Sequence, residues 1–317
     1  MGKVLFIRGG AIGDFVLTMP AIQLVRTTLP DNEIEVLGYP GMTDLALVTG
    51  LADKQRSIVD PKLAPFYAPE AKLDREWCEY FAGFDLVVSC LYDPDGLFAA
   101  NLKKAGVKTL VNLPFRPDES ETSPHASLQL AEPLGQVALF LDDPALELDY
   151  PISNTVKRRG AGPLVAVHPG SGHASRNWGF ESWAAVLGLL AETHPGIEYV
   201  ITSGVAETGI IDEFLTILDE LDLSYTHLDS IPLTELASVY QQADYYLGHH
   251  SGIAHLAAST GTPGLLLFGD ANPAVWSPAS EEMKVLQSKS KTLSGIAIPD
   301  VLERVQIPSY SHPSSRS

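Results

Sequence analysis

Two glycine-containing segments carry residue types from which a binding or catalytic site could be built. The later one, residues 248–255, reads Gly-His-His-Ser-Gly-Ile-Ala-His and lies between an apolar run and a predicted helix. Free N–H groups and the positive end of a helix dipole at such a junction suit a diphosphate. Ser251 could equally be an ordinary N-cap with His255 packed in the core, and the segment by itself favours neither interpretation.

The earlier segment, residues 9–14, reads Gly-Gly-Ala-Ile-Gly-Asp. Its small residues let the backbone turn sharply from a strand into a helix and approach a ligand closely. Asp14 could act as a general base, but taken alone its place at a helix start favours capping. The spacing is not the Gly-x-Gly-x-x-Gly of nicotinamide enzymes, so a redox Rossmann enzyme is only the last alternative.

A third segment, His168-Pro169-Gly170-Ser171-Gly172, ends another apolar run and is followed by Arg176. A guanidinium there could neutralise phosphate charge as a leaving group departs. The four histidines of these segments also raise the question of a metal site: His168, His249, His250 and His255. Nothing in their spacing imposes the geometry that a zinc site needs, and we expect no metal.

Apolar runs and helical periodicity alternate along the whole chain, which predicts an α/β fold with parallel sheets. Strands are predicted at 4–7, 33–37, 85–89, 108–111, 164–167, 199–202, 245–247 and 264–268. Helices are predicted from Asp14 to about Leu29 and at 125–139, 180–192, 210–221, 233–242 and 253–259. We expect two Rossmann-like, doubly wound domains facing across a cleft: residues 1–156 and 164–308, joined by a linker at 157–163. The Ser-rich tail 309–317 is predicted to be disordered.

The composition excludes several classes of function. A net charge of −18 would repel a polyphosphate backbone, so we expect no nucleic-acid partner. Cys78 and Cys90 are the only cysteines, which favours a reducing compartment and a cytoplasmic protein. The start has too short an apolar run for a signal peptide, and no run approaches the length of a membrane span. Any membrane contact would be peripheral, at the inner face.

In order and spacing, these segments resemble glycosyltransferase family 9, the ADP-heptose:lipopolysaccharide heptosyltransferase family. The resemblance begins with Arg8-Gly9-Gly10-Ala11-Ile12-Gly13-Asp14 and Pro20, and continues with His168–Ser171, Arg176 and Trp178. It ends with a series from Ser251 to Pro278: Ser-Gly, His-Leu-Ala-Ala, Gly-Thr-Pro, Leu-Phe-Gly, Trp and Pro.

The resemblance implies a GT-B fold, inversion at the anomeric carbon of a nucleotide-diphosphate sugar, and no metal or other cofactor. ADP-heptose is the donor that the family name suggests. Asp14 becomes the expected general base, with Arg8, Gly10 and Gly13 in an acceptor-side loop. An acidic residue matching Glu207 often contacts the nucleoside, and a lysine usually stands at the place of Arg176. The implied donor-binding residues are His168, Gly170, Ser171, Arg176, Glu207, His250, Ser251, Gly252 and His255.

Two departures from the family bear on the substrates. The family usually has Asp where this chain has His250, so contacts to the donor sugar must differ and heptose is less strongly indicated. The family's basic N-terminal surface for phosphorylated, lipid-linked sugar has little counterpart in this acidic chain. We therefore expect a glycosyltransferase acting on a glycan or glycolipid in lipopolysaccharide or surface polysaccharide synthesis. A nucleotide-sugar 2-epimerase and a non-catalytic nucleotide-sugar-binding homologue stay open.

Overall fold

The chain forms two compact units, Met1–Ala145 and Leu146–Ser317, each built on a parallel sheet. The structure is a computed structural model that describes residues 2–172 and 177–308. Arg176 and the predicted tail 309–317 lie outside the described residues. Two parallel α/β units confirm the fold class predicted from the alternation of apolar runs and helices.

In the first unit, the described residues form a five-stranded sheet of order β3-β2-β1-β4-β5. Its strands are β1 (Lys3–Arg8), β2 (Glu33–Gly38), β3 (Lys54–Ser57), β4 (Leu86–Ser89) and β5 (Leu110–Asn112). Its helices are α1 (Ile12–Thr28), α2 (Thr43–Val48), α3 (Arg75–Ala82), α4 (Leu97–Lys104) and α5 (Ala126–Ala131). Short 3₁₀ helices span Pro61–Tyr67 and Glu132–Val137. Residues 4–7 of β1 are fully buried because both faces of a parallel sheet are covered.

In the second unit, the described residues form a six-stranded sheet of order β11-β10-β9-β6-β7-β8. Its strands are β6 (Leu164–His168), β7 (Glu198–Ser203), β8 (Tyr225–Asp229), β9 (Tyr245–His249), β10 (Gly264–Phe268) and β11 (Met283–Gln287). Its helices are α6 (Phe180–Thr193), α7 (Ile211–Glu220), α8 (Leu233–Gln242), α9 (Gly252–Ala258), α10 (Pro273–Trp276) and α11 (Ile298–Arg304). Trp178 and Trp183 lie in a core that joins α6 to β6 and β7.

Each sheet has a point where the strand order reverses. In the first, β1 lies between β2 and β4, and in the second, β6 lies between β7 and β9. Open α/β sheets bind ligands beyond the carboxyl ends of the strands at such a switch point. Residues 9–14 follow β1 and residues 169–172 follow β6, so two of the three segments with candidate chemistry lie at the switch points.

One predicted helix is wrong in its extent. The helix predicted at 125–139 ends as α5 at Ala131 and continues only as the 3₁₀ helix Glu132–Val137. Pro133 explains the break, because proline has no N–H to donate and restricts the residue before it.

The change of unit comes at Ala145, earlier than the boundary predicted at residue 156. Residues 146–156, between the two boundaries, are hydrogen-bonded to the rest of the second unit. Leu148 N donates to Ser259 O at 2.8 Å, and Ser153 N donates to Ser238 Oγ at 2.7 Å. Within the described ranges, no helix combines the length and the apolar character needed to cross a membrane.

Candidate functional site

A buried arginine, Arg8, connects the ends of β1 and β4 at the first switch point. Arg8 is the last residue of β1, and its Nη1 donates to the carbonyl of Cys90 at 3.0 Å, just beyond β4. Its Nε donates to the backbone carbonyl of Asp14 at 3.2 Å. The remaining nitrogen, Nη2, makes no hydrogen bond within the described residues and lies 3.4 Å from Asp14 Oδ1. Arg8 therefore holds the start of α1 against the end of β4.

Asp14 is held in place and is still reachable from solvent. Its Oδ2 accepts a hydrogen bond at 2.8 Å from the N–H of Ala11, the residue that precedes α1, which is the capping-box bond of an acidic residue at the third helical position. The side chain is 32% exposed. Gly10 has φ +98°, and a Cβ there would lie 2.5 Å from Asp14 Oδ2. Gly13 lies beside Asp14 in the first turn of α1. The capping interpretation is thus correct for one oxygen, and the exposed part of the carboxylate is left for chemistry.

His168, at the end of β6, is a buried neutral imidazole. Its Nδ1 lies 3.0 Å from Thr202 Oγ1, and its Nε2 lies 3.9 Å from Glu207 Oε1. Burial lowers the pKa of His168 to about 4, so the ring carries no charge at neutral pH. An uncharged ring can donate or accept a hydrogen bond, but it does not supply a cation for a phosphate.

Glu207 and Gly170 lie against each other at the same edge of the sheet. Glu207 is buried, its Oε2 accepts from the Gly204 N–H at 2.9 Å, and Oε1 has no hydrogen-bond partner within the described residues. Burial raises the pKa of Glu207 above its ordinary value. A Cβ at position 170 would overlap the Glu207 carboxyl group, so this position requires glycine. The two residues were predicted separately, and the structure brings them together.

His249, the last residue of β9, was considered in the sequence only as a metal candidate, and the structure gives it another place. Its Nε2 accepts from the Trp178 backbone N–H at 2.9 Å and from Trp183 Nε1 at 3.1 Å. Two donors on Nε2 assign the ring proton to Nδ1, which lies 3.4 Å from the Gly170 carbonyl oxygen. Burial lowers the pKa of His249 to about 3. The neutral ring ties the glycine loop to the start of α6.

After His249, the chain places His250 in an aromatic cluster and then begins α9 at the N-cap Ser251. The His250 ring stacks on Phe268 with centroids 4.7 Å apart, and Trp276 and the buried His255 lie 6.2 and 6.4 Å away. Ser251 is the N-cap of α9, and its Oγ accepts from the Ala254 N–H at 3.3 Å. The capping role of Ser251 and the packed state of His255 are therefore both present in the structure.

Three donor-binding candidates remain: Gly252, Ser171 and Arg176. Gly252 is the first residue of α9. The Ser171 hydroxyl donates to Asn177 Oδ1 at 2.8 Å. Arg176 lies outside the described residues. Across residues 2–172 and 177–308, no three His, Cys, Asp or Glu side chains gather as they would around a metal ion.

The described donor-side candidates converge on one edge of the second sheet. His168 is in register with Gly248 of β9, and His249 is in register with Leu267 of β10. The loop after β6, Glu207 after β7 and the residues after β9 thus share the carboxyl edge around the switch point. Arg8, Gly10, Gly13 and Asp14 occupy the corresponding edge of the first sheet. The second unit thus has a buried hydrogen-bond acceptor, Glu207 Oε1, beside a glycine loop, and the first unit has a carboxylate held in place, that of Asp14.

Comparison with known proteins gives consistent matches. The family described as glycosyltransferase family 9 (heptosyltransferase) matches residues 123–305. Lipopolysaccharide heptosyltransferase 3 of Escherichia coli is 23% identical over 300 residues, which cover 86% of this chain and 84% of that protein. A glycosyl transferase family 9 structure from Veillonella parvula has a TM-score of 0.76 at 15% identity and 95% coverage of both chains.

A second solved structure supports the same fold. Escherichia coli heptosyltransferase WaaC, solved with ADP, has a TM-score of 0.73 at 15% identity, over 95% of this chain and 98% of that one. At such identities the likeness concerns the fold, and it confirms the predicted GT-B type.

Proposed function

Because the chain belongs to glycosyltransferase family 9 and is therefore a glycosyltransferase, we propose that it inverts the anomeric carbon of its donor and needs no metal. The donor is a nucleotide-diphosphate sugar, and the acceptor is a hydroxyl of a glycan or glycolipid in lipopolysaccharide or surface polysaccharide synthesis. The observation that carries this proposal is the Asp14 carboxylate. Arg8 and the Ala11 N–H hold it at the first switch point, and it is 32% exposed.

Asp14 acts as the general base of this reaction. As the acceptor oxygen attacks the anomeric carbon, its proton passes to the Asp14 carboxylate. The bond from the anomeric carbon to the diphosphate breaks on the opposite face, and its electron pair stays on the phosphate oxygen, so the configuration inverts. Arg8 acts on the side chain and backbone of Asp14 and not on the substrate, which makes it a positioning residue.

The second unit binds the donor. Glu207 Oε1 is a buried acceptor without a protein partner within the described residues, and a nucleoside hydroxyl can donate to it, which removes the cost of leaving it unpaired. Backbone amides of the glycine loop at 170–172 and the Arg176 guanidinium are assigned to the diphosphate. His168, Ser171, His250, Ser251, Gly252 and His255 complete the donor site.

The identity of the donor is a finer proposal. The WaaC structure holds ADP, and the relatives are heptosyltransferases, which supports an ADP-linked sugar and heptose first. His250 replaces the aspartate that the family usually has. An imidazole ring has at most one acceptor nitrogen and cannot accept two hydroxyl hydrogen bonds as a carboxylate does, so the sugar contacts differ at this ring, which stacks on Phe268.

The test replaces Asp14 by asparagine, which keeps the shape and removes the base. Asp74→Asn is the matched control, since Asp74 also bonds a backbone N–H at a helix start, that of Trp77 in α3. With an ADP-sugar and an acceptor panel, we expect Asp14→Asn to lower turnover by about 10²–10⁴-fold and Asp74→Asn to leave it unchanged. Product is measured by mass spectrometry. ADP at about 100 times its Kd should stabilise both variants by about 2.7 kcal/mol, which shows that donor binding is intact.

Three outcomes would contradict the proposal. If Asp14→Asn turns over like the wild type, Asp14 only caps its helix. An epimer formed from the donor alone would indicate a 2-epimerase. Donor binding without transfer or hydrolysis across the whole panel would indicate a non-catalytic binding protein.

A further inference from the structure

Four aromatic side chains lie exposed at the edge of the first sheet that carries Asp14. Tyr39 follows β2, Tyr92 follows β4, Phe115 follows β5, and Tyr67 ends the 3₁₀ helix that follows β3. Each keeps between 37% and 66% of its surface exposed. We call these four residues the aromatic rim. Since all strands of the sheet are parallel, their carboxyl ends lie at the same edge.

The aromatic rim is continuous with the Asp14 site on two sides. Tyr92 and Phe115 have ring centroids 5.4 Å apart, and the Arg8 guanidinium carbon lies 5.8 Å from the Phe115 centroid. On the other side, Tyr39 Cε2 lies 3.9 Å from the position that a Cβ of Gly9 would take. The rim thus borders Arg8, the last residue of β1, and Gly9, the first residue of the glycine turn.

Charge at this edge does not suit an anionic ligand. Four cations near these strand ends lie beside carboxylates: Arg8 with Asp14 at 3.4 Å, Arg56 and Lys62 both with Glu76 at 2.8 and 2.9 Å, and Arg116 with Glu119 at 3.7 Å. Asp93 directly follows Tyr92 in the sequence. An anion here would have to displace a paired carboxylate and would meet the field of an acidic chain with a net charge of −18.

The rim also offers hydrogen-bonding groups. Burial, followed by the nearby Tyr39 and Asp93, raises the pKa of Tyr67 to about 12. Its hydroxyl therefore keeps its proton at neutral pH and can donate. Aromatic faces combined with a few fixed polar groups are typical of sites for small organic ligands. The apolar C–H face of a pyranose ring packs on an aromatic ring while its hydroxyls bond to such polar groups.

We propose that the aromatic rim binds an uncharged pyranose unit of the acceptor and so presents its hydroxyl to Asp14. This inference rests on the proposed transferase function and names the acceptor class. It separates this chain from an enzyme that recognises a phosphorylated acceptor through basic residues.

The test uses the full chain saturated with ADP and follows saturation-transfer NMR of methyl glycosides and disaccharides of glucose, galactose, mannose and N-acetylglucosamine. Glucose 6-phosphate and methyl glucuronide are the charged comparators. Tyr92→Ala is the main variant because Tyr92 is 66% exposed, and Phe140→Ala, in the same unit and 67% exposed, is the matched control. We expect neutral sugars to bind, at least about tenfold more weakly to Tyr92→Ala, and unchanged to Phe140→Ala. ADP affinity should be the same in all three proteins.

Several results would overturn the inference. These are tighter binding of the charged sugars than of the neutral ones, equal binding of neutral sugars to both variants, or no saturation transfer to any neutral sugar. Loss of binding only to phosphatidylglycerol vesicles in Tyr92→Ala would make the rim a membrane contact instead. Transfer that persists in Tyr92→Ala with an unchanged KM for an anionic acceptor would refute the rim while leaving the transferase function intact. Failure of the function itself appears separately, as retained turnover in Asp14→Asn.

Discussion

At the residue scale, the capping bond of Asp14 occupies one carboxylate oxygen and leaves the other for the base role that we propose. One oxygen bonds the Ala11 N–H, and the other faces Arg8. The sequence favoured capping when Asp14 was taken alone, and the structure shows that bond. The proposed base role is argued from the surrounding arrangement, in which Arg8 and Gly10 limit where the carboxylate can lie.

Gly10→Ala should disturb that arrangement. At φ +98° an alanine is strained, and its Cβ would press on the Asp14 carboxylate. We expect a loss of about 1–3 kcal/mol in the free energy of unfolding, together with a fall in turnover. Gly41→Ala is the control, since Gly41 has φ +86° but nothing within 4 Å of its Cβ position. It should lose stability and keep its turnover, and equal turnover in the two variants would disprove the steric coupling to Asp14.

At the element scale, the buried strands were predicted from the sequence, whereas β5 was the only edge strand of the described sheets that was. β1, β6, β9 and β10 are apolar runs, and all four appear close to their predicted bounds. β3 and β8, at two outer edges, read Lys-Gln-Arg-Ser and Tyr-Thr-His-Leu-Asp and have no apolar run to reveal them. An edge strand is covered less and needs fewer apolar residues, so its pairing is decided by the neighbouring strand.

The segment predicted as a linker, 157–163, is attached to the second unit. Arg158 Nη1 pairs with Asp244 Oδ2 at 2.8 Å, and the Arg159 N–H donates to Glu198 Oε1 at 2.9 Å. Gly162 lies so close to the backbone of Gly196, in the turn before β7, that a Cβ would overlap it. The segment therefore packs against the second unit and is not a free connection.

Gly162→Ala should destabilise the protein because backbone cannot give way as a flexible side chain can. We expect a loss of about 1–3 kcal/mol in chemical unfolding. Gly188→Ala, inside α6 with only one atom at 4.0 Å, should instead gain about 0.5–1 kcal/mol from helix propensity. Equal effects of the two substitutions would mean that residues 157–163 do not pack tightly.

At the scale of the whole molecule, buried neutral histidines make stability depend on acidity. Burial lowers the pKa of His168 to about 4 and that of His249 to about 3. Below about pH 6.5, the pKa of histidine in an unfolded chain, these two side chains bind protons in the unfolded state but not in the folded state. The free energy of unfolding therefore falls as the pH falls. Burial raises the pKa of Glu207, so the folded chain binds this proton before the unfolded chain as the pH falls, and this contribution to stability has the opposite sign.

We expect the free energy of unfolding to fall between pH 6.5 and 4, by up to about 1.4 kcal/mol per pH unit for each of the two histidines. His249→Gln keeps an acceptor for the two tryptophan donors and removes the titrating ring, so its slope should be smaller by up to about that amount. Urea unfolding followed by circular dichroism at several pH values measures both slopes. Identical slopes would show that the folded chain binds a proton at His249 as readily as the unfolded chain does.

The sequence by itself determined the α/β class, the parallel sheets and the family, because these follow from apolar runs, glycine turns and ordered motifs that are local in the chain. The tertiary structure decided which residues meet. The Glu207 carboxyl group requires glycine at position 170, His249 accepts a hydrogen bond from the Trp178 N–H, and Tyr92 packs beside Phe115, yet the partners in each pair come from different parts of the chain. Contacts of this kind depend on strand order and on the packing of buried side chains, and neither leaves a periodic signal in the sequence.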